Sequence, residues 1–350
     1  MKYTSAFAFA VILLAAGGAS AQTCPFTTEF EATLLPGIQG DFGIAETEGT
    51  DINEAGEAVG SAFAEQPALA WRGVRWPVGA TEPQILTDGM GRVNGLSDNR
   101  LAAGEDVAGG SLWDADNVRT LLPGLTGHLG AVATDVNSNG IIVGWSATAH
   151  DLFPAAWPDG VDGEPINLTE GVPAAFGGLM RRISERGIAV GEMSFFVAPF
   201  ERAVIWNAAS GAVRVLPGLI GFNGAEGDTT AIGVNERGLV VGQSYRPLAG
   251  GVAAILPVAW PRGQVRALPL GGFGGGTAYD VNDCGTVVGE GIINVFDVRA
   301  VIWQGGTVRQ LDDLHAGPRL GLISAVAINN AGQILVNGGG QQTWILTPVL

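Results

Sequence analysis

The 350-residue sequence points to an all-β fold: a β-propeller of seven four-stranded blades, closed by the N-terminal strand. Three observations lead there. A turn phrase built on Asn or Ser, two further residues and Gly returns along the chain in seven copies, with Arg100 in place of the Gly in the second. A tryptophan follows each copy by about twenty residues. The phrase that should end the last repeat stands instead at the N-terminus. The leading apolar positions of the turn phrase are 52, 96, 136, 183, 234, 281 and 328, about 46 residues apart on average. A period of roughly 40 to 50 residues is that of a propeller blade and too long for one coil of an ordinary solenoid.

The first element of each repeat is the hairpin around that phrase. It is clearest in Val136-Asn137-Ser138-Asn139-Gly140-Ile141-Ile142-Val143-Gly144 and Val281-Asn282-Asp283-Cys284-Gly285-Thr286-Val287-Val288-Gly289, and weaker at 96–104, 183–191 and 328–336. Asn starts the turn by bonding to its own backbone, and Gly accepts the positive φ that closes it. The next element is a short apolar run ending in tryptophan, as in Arg202-Ala203-Val204-Ile205-Trp206. Trp71, Trp113, Trp157, Trp206, Trp260, Trp303 and Trp344 read as the fillers between neighbouring blades, where a large ring buries most area. The last element is an outer phrase such as Val213-Arg214-Val215-Leu216-Pro217-Gly218. The final repeat lacks it, and Ala32-Thr33-Leu34-Leu35-Pro36-Gly37 supplies it from the N-terminus. Such closure hides the sheet edges that an open array would expose. The apolar runs are too short and the glycines too dense for amphipathic helices.

Residues 1–21 read as a secretory signal peptide. Lys2 precedes an apolar stretch from Ala6 to Ala16, and Ala19-Ser20-Ala21 is a small-x-small cleavage site. The expected mature chain, 22–350, is one repeat domain with no segment long enough to span a bilayer. Export makes a disulfide between the two cysteines, Cys24 and Cys284, chemically feasible, tying the N-terminal tail to the sixth repeat; the alternative is two free thiols. The formal charge is −16, and Lys2 is the sole lysine. Such a surface repels nucleic acid and anionic lipid and suits cations or neutral ligands.

Recognisable catalytic chemistry is sparse. His128, His150 and His315 stand apart from one another, and no nucleophile elbow, P-loop or dinucleotide fingerprint occurs. The glycine run 271–276 has no strand-then-helix context and reads as a blade connection. Asp135-Val136-Asn137-Ser138-Asn139-Gly140 matches the first half of a calcium loop, but Ser146 stands where its closing Glu belongs. Asp51, Asp135 and Asp280 recur at one repeat position and are the weak candidates for a cation ring, with calcium as the ion; the alternative is turn capping. The fourth repeat breaks the pattern with Arg181-Arg182-Ile183-Ser184, and the second with Asn94-Gly95-Leu96-Ser97.

The combination of Asp-[Ile/Val]-Asn-x-x-Gly-x-[Val/Ile]-Val-Gly, an apolar run ending in Trp and a Leu-Pro-Gly phrase resembles the HAF family of extracellular repeat proteins, from about Leu34 to Leu346. The His-Ala-Phe triplet that names the family is replaced here by Arg202-Ala203-Val204, Arg299-Ala300-Val301 and similar runs. The resemblance implies a secreted bacterial protein of propeller shape and carries over no catalytic residues.

The functional expectation is a secreted, monomeric, non-catalytic scaffold that binds a glycan, a surface polymer or a protein through blade-end loops. Its rivals are a propeller enzyme, a polysaccharide lyase or glycoside hydrolase, with carboxylates converging on the central channel, and a purely structural envelope component. No catalytic or cofactor-binding residue is assigned.

Overall fold

The structure is a computed structural model that describes residues 27–38, 40, 45–66, 68–221, 224–248, 253–294 and 296–349. The segment 1–21, read from the sequence as a signal peptide, and Cys24 lie outside the described residues. Seven four-stranded antiparallel sheets form a seven-bladed β-propeller. Blades 1 to 6 span 47–85, 91–121, 130–167, 175–215, 229–267 and 275–310, each running from an innermost strand at the channel to an outer strand. Blade 7 takes three strands from 322–348 and its outer strand from Phe30–Leu34. The closing pair runs antiparallel in register from Phe30 opposite Pro348 to Leu34 opposite Trp344. Phe30 is buried, and its N–H bonds to the carbonyl of Leu314. Residue 27 is held on blade 6: its N–H donates to Gln304 Oε1 at 3.1 Å, and Arg309 Nη2 donates to its carbonyl at 2.8 Å. Cys284, also in blade 6, is disulfide-bonded.

The repeat phrase builds the inner hairpin of each blade. Its first glycine takes a left-handed φ in the turn, as at Gly140 (φ 78°), Gly238 (76°) and Gly285 (74°); Arg100 takes that conformation in blade 2. Its last glycine faces a different constraint. The innermost strand bulges opposite it, so the two backbones close together. A Cβ on Gly144 would lie 2.0 Å from the carbonyl oxygen of Val132, and one on Gly289 would lie 2.1 Å from that of Thr277. Blade 7 alone carries a side chain there, Val336 opposite Ala325.

Each interface between blades holds its own apolar cluster, filled by a residue at the end of the third strand. Trp113, Trp157, Trp206, Trp260 and Trp303 occupy that place, each packed against the preceding blade. Two positions differ from the sequence expectation. In blade 1 the filler is Trp76, opposite Ala58 and 1% exposed, while Trp71 sits at the other end of the same strand, opposite Phe63. In blade 7 the filler is Leu346, opposite Ile334, and Trp344 lies two residues earlier in the strand. The outer Leu-Pro phrase has a specific partner. The indole N–H of Trp76, Trp157, Trp260 and Trp303 donates at 2.8 Å to the carbonyl of Pro36, Pro123, Pro217 and Pro269 of the preceding blade. Before Trp206 that phrase is replaced by a 3-10 turn, Leu168–Gly171, and the buried indole N–H of Trp206 has no partner.

Candidate functional site

The central channel is lined by the seven innermost strands. Its two ends differ, and the difference follows from which repeat positions face each end.

At the end carrying the Asn turns, the recurring polar residues are consumed in joining blades. The side-chain N–H of Asn137, Asn235 and Asn282 donates to the carbonyl of residue 184, 282 or 329 in the next blade. Asn329 donates to the carbonyl of Asn53 at 3.0 Å and so closes the circle. The residue after each Asn makes a second circle. Asp98, Ser138, Glu185, Glu236, Asp283, Asn330 and Glu54 each accept a backbone N–H from the blade before. The carboxyls of Glu54 and Glu236 are pushed up first by burial, then by neighbouring carboxylates, while the backbone donors pull them down. The acidic look of this end is therefore mostly capping of turn amides.

Deeper lie the three aspartates anticipated as cation ligands. The structure brings them together, but around an arginine. Arg182 of blade 4 crosses the channel to blade 1, with its Nη1 2.7 Å from Asp51 Oδ2 and its Nη2 donating to the Thr50 carbonyl at 2.8 Å. Asp135 and Asp280 also act on its charge. Each aspartate accepts a backbone N–H from the following blade: Asp51 from Leu96 at 2.8 Å, Asp135 from Ile183 at 2.8 Å and Asp280 from Ile328 at 2.9 Å. Asp51 and Asp135 accept a second from Ile52 and Val136. Burial raises all three carboxyls, with Arg182 opposing it, and Asp280 is brought to about 6. Among the described residues no group of three or more His, Cys, Asp or Glu could hold a metal ion. The half-calcium phrase at 135–140 is thus accounted for by blade-to-blade hydrogen bonds.

Arg182 also forms the floor of the opposite cavity, about 450 Å³ in volume. Seven residues ring that cavity: Thr50, Asn94, Thr134, Arg181, Ile232, Tyr279 and Val326. They are the extra residues of the seven bulges, which turn them toward the axis. Thr recurs in two of them, Thr50 and Thr134, whose hydroxyls each donate to a carbonyl of the next blade, and the other five all differ. Above them stands Trp145, a ninth-tryptophan position outside the filler pattern, on the second strand of blade 3 opposite Pro154. Most charges of this wall are paired, Arg92 with Glu48 at 2.7 Å and Arg181 with Glu192 through two bonds of 2.7 Å, and Glu105 adds a further carboxylate. Burial and Glu290 keep the Tyr279 phenol protonated far above the usual range.

None of the expected site residues lines this cavity. The legible signal was disagreement: the position two before the leading apolar residue of each phrase holds six different residue types in seven copies.

No family model matches the chain, and no curated protein matches it. Solved propellers do resemble it. The β-propeller domain of the Trilobed protease from Pyrococcus furiosus, described as having an open velcro topology, is 10% identical with a TM-score of 0.54, over 91% of this chain and 94% of that one. Virginiamycin B lyase from Staphylococcus aureus is 9% identical with a TM-score of 0.50, over 92% and 100%. At this identity the likeness is one of fold. Among the described residues no helix is long and apolar enough to cross a membrane.

Proposed function

We propose that this protein is an exported, HAF-type repeat scaffold that binds a neutral glycan in the bulge-lined cavity. One observation carries the reading. The Asn and Asp that recur among the repeats are spent on blade-to-blade bonds, whereas the bulge residues, six residue types in seven places, surround an open cavity with an indole on its wall. A site for one ligand needs the seven-fold sameness broken, and it is broken here. Polar groups, mostly paired charges and a half-buried tryptophan suit an uncharged polyhydroxylated ring, whose C–H face rests on an indole. The strongly acidic chain disfavours an anionic polymer. The disulfide at Cys284 and the apolar N-terminal stretch support export.

An enzyme would draw on the raised channel carboxylates, but their oxygens already accept backbone amides and Arg182. Titration calorimetry with cello-, chito- and malto-oligosaccharides tests the reading. Trp145→Ala is expected to weaken binding by about tenfold or more. Unchanged affinity in that variant, or no binding by the wild type, removes the site. Cleaved or unsaturated sugar products in the same mixtures would move the reading to a glycoside hydrolase or polysaccharide lyase.

A further inference from the structure

Trp71 is not needed where the repeat puts its tryptophans, because Trp76 fills the interface between blades 7 and 1. Trp71 instead lines a second cavity of about 400 Å³ on the same end of the ring as Trp145. Met90 and Val107, 65% and 71% exposed, stand beside it and widen the apolar surface around the indole. The ring of Phe63 meets Trp71 edge-on, with centroids 5.9 Å apart, and steadies it.

The two cavities are not separate. Glu48, Arg92 and Glu105 line both. They adjoin across the top of blades 1 and 2, with the Arg92–Glu48 pair at the junction. Those two side chains are 44% and 45% exposed, so the pair meets solvent and is open to hydroxyl groups on both sides. The sequence of surfaces is an indole in the channel, a polar bridge of the Arg92–Glu48 pair and the Glu105 carboxylate, then a second indole with an apolar margin.

We propose that Trp71 is the outer subsite of an extended cleft, so that the ligand is a linear neutral glycan long enough to reach from Trp145 to Trp71. This rests on the glycan reading of the channel cavity and adds the length of the ligand. A single sugar would engage the inner indole alone. A chain crossing the bridge would engage both, and the second contact would be made at the effective concentration set by the first.

The test is calorimetric affinity as a function of oligosaccharide length, for the wild type and Trp71→Ala. Trp71 is part-exposed, so the variant is expected to stay folded; its circular dichroism and urea midpoint are recorded alongside. In the wild type, affinity should rise by roughly tenfold or more once the oligomer reaches the second indole. In Trp71→Ala that rise should vanish while short oligomers bind as before. Trp71→Phe should recover part of the rise. A wild type that binds short and long oligomers alike overturns the outer subsite and leaves the channel site standing. So does a Trp71→Ala protein that keeps the full rise. A wild type that binds no sugar of any length overturns both, as does one that binds only extended polypeptides.

Discussion

Arg182→Met is expected to destabilise the propeller by about 3–5 kcal/mol at pH 8, because it strands a buried cluster of carboxylates without its cation. At pH 5 the loss should shrink to a fraction of that. The sign follows from the shifts. Asp51, Asp135 and Asp280 all have carboxyls raised by burial above the ordinary value of 3.8, with Asp280 at about 6. A carboxyl raised in the folded state holds its proton more tightly there than in the unfolded chain. Its favourable contribution is complete below the unfolded pKa and is lost as pH rises through the folded one. The wild type should therefore lose stability between pH 4 and pH 7, on the order of 3 kcal/mol for the roughly two-unit shift of Asp280. Arg182 remains charged throughout, since the aspartates hold its proton against desolvation. Without Arg182 the carboxyls rise further and the slope steepens. Urea denaturation of both proteins across this pH range reads the effect. Equal losses at pH 5 and pH 8 would mean that the arginine acts by packing and not by charge.

The second large effect separates two tryptophans five residues apart. Trp76→Ala should cost about 3–5 kcal/mol, because it empties a site 1% exposed between Ala327 and Leu335 of blade 7 and Val74 of blade 1. It also leaves the Pro36 carbonyl without its indole donor. Trp71→Ala, part-exposed at a cavity edge, should cost about 1 kcal/mol or less. Urea midpoints of the two variants decide the matter, and comparable losses would return Trp71 to the interface.

That pair of residues shows where sequence reasoning ran short. The blade number, the four short strands per repeat and the Phe30–Leu34 closure were legible because each rests on a period or on a phrase found at the wrong end of the chain. The glycine run at 271–276 was rightly taken as a connection: it leads into the innermost strand Gly275–Val281. Trp71 misled because distance was counted forward from the Asn turn, across a second hairpin whose loop varies. That loop is two residues between Asp106 and Gly109 but runs from Phe195 to Glu201 in blade 4. Counting back from the outer phrase would have reached Trp76. Asp51, Asp135 and Asp280 were correctly grouped by their shared position. Their counter-ion was hidden, because Arg182 reads as a lapse in one repeat until the ring sets it opposite another. Two of the bulge residues, Asn94 and Arg181, stood out as breaks in the repeat, but that all seven ring one cavity was hidden for a related reason: a bulge leaves a strand's pattern almost intact and changes only where one side chain points.

The seam between Phe30–Leu34 and Trp344–Pro348 has a consequence for how the chain becomes a ring. Almost every other strand finds its partner one hairpin away, so blades can zip up in the order in which they are synthesised. The seal cannot. The earliest ordered strand must wait, unpaired, until nearly the whole polypeptide has emerged, and only then does an arc of stacked sheets become a circle. Until that moment the Gln342–Pro348 strand presents a bare edge, ready to accept any extended segment that arrives first. Circularity, the property that protects the finished molecule, is thus the last thing the chain acquires, and the interval before it is the period in which two copies can stitch together by mistake.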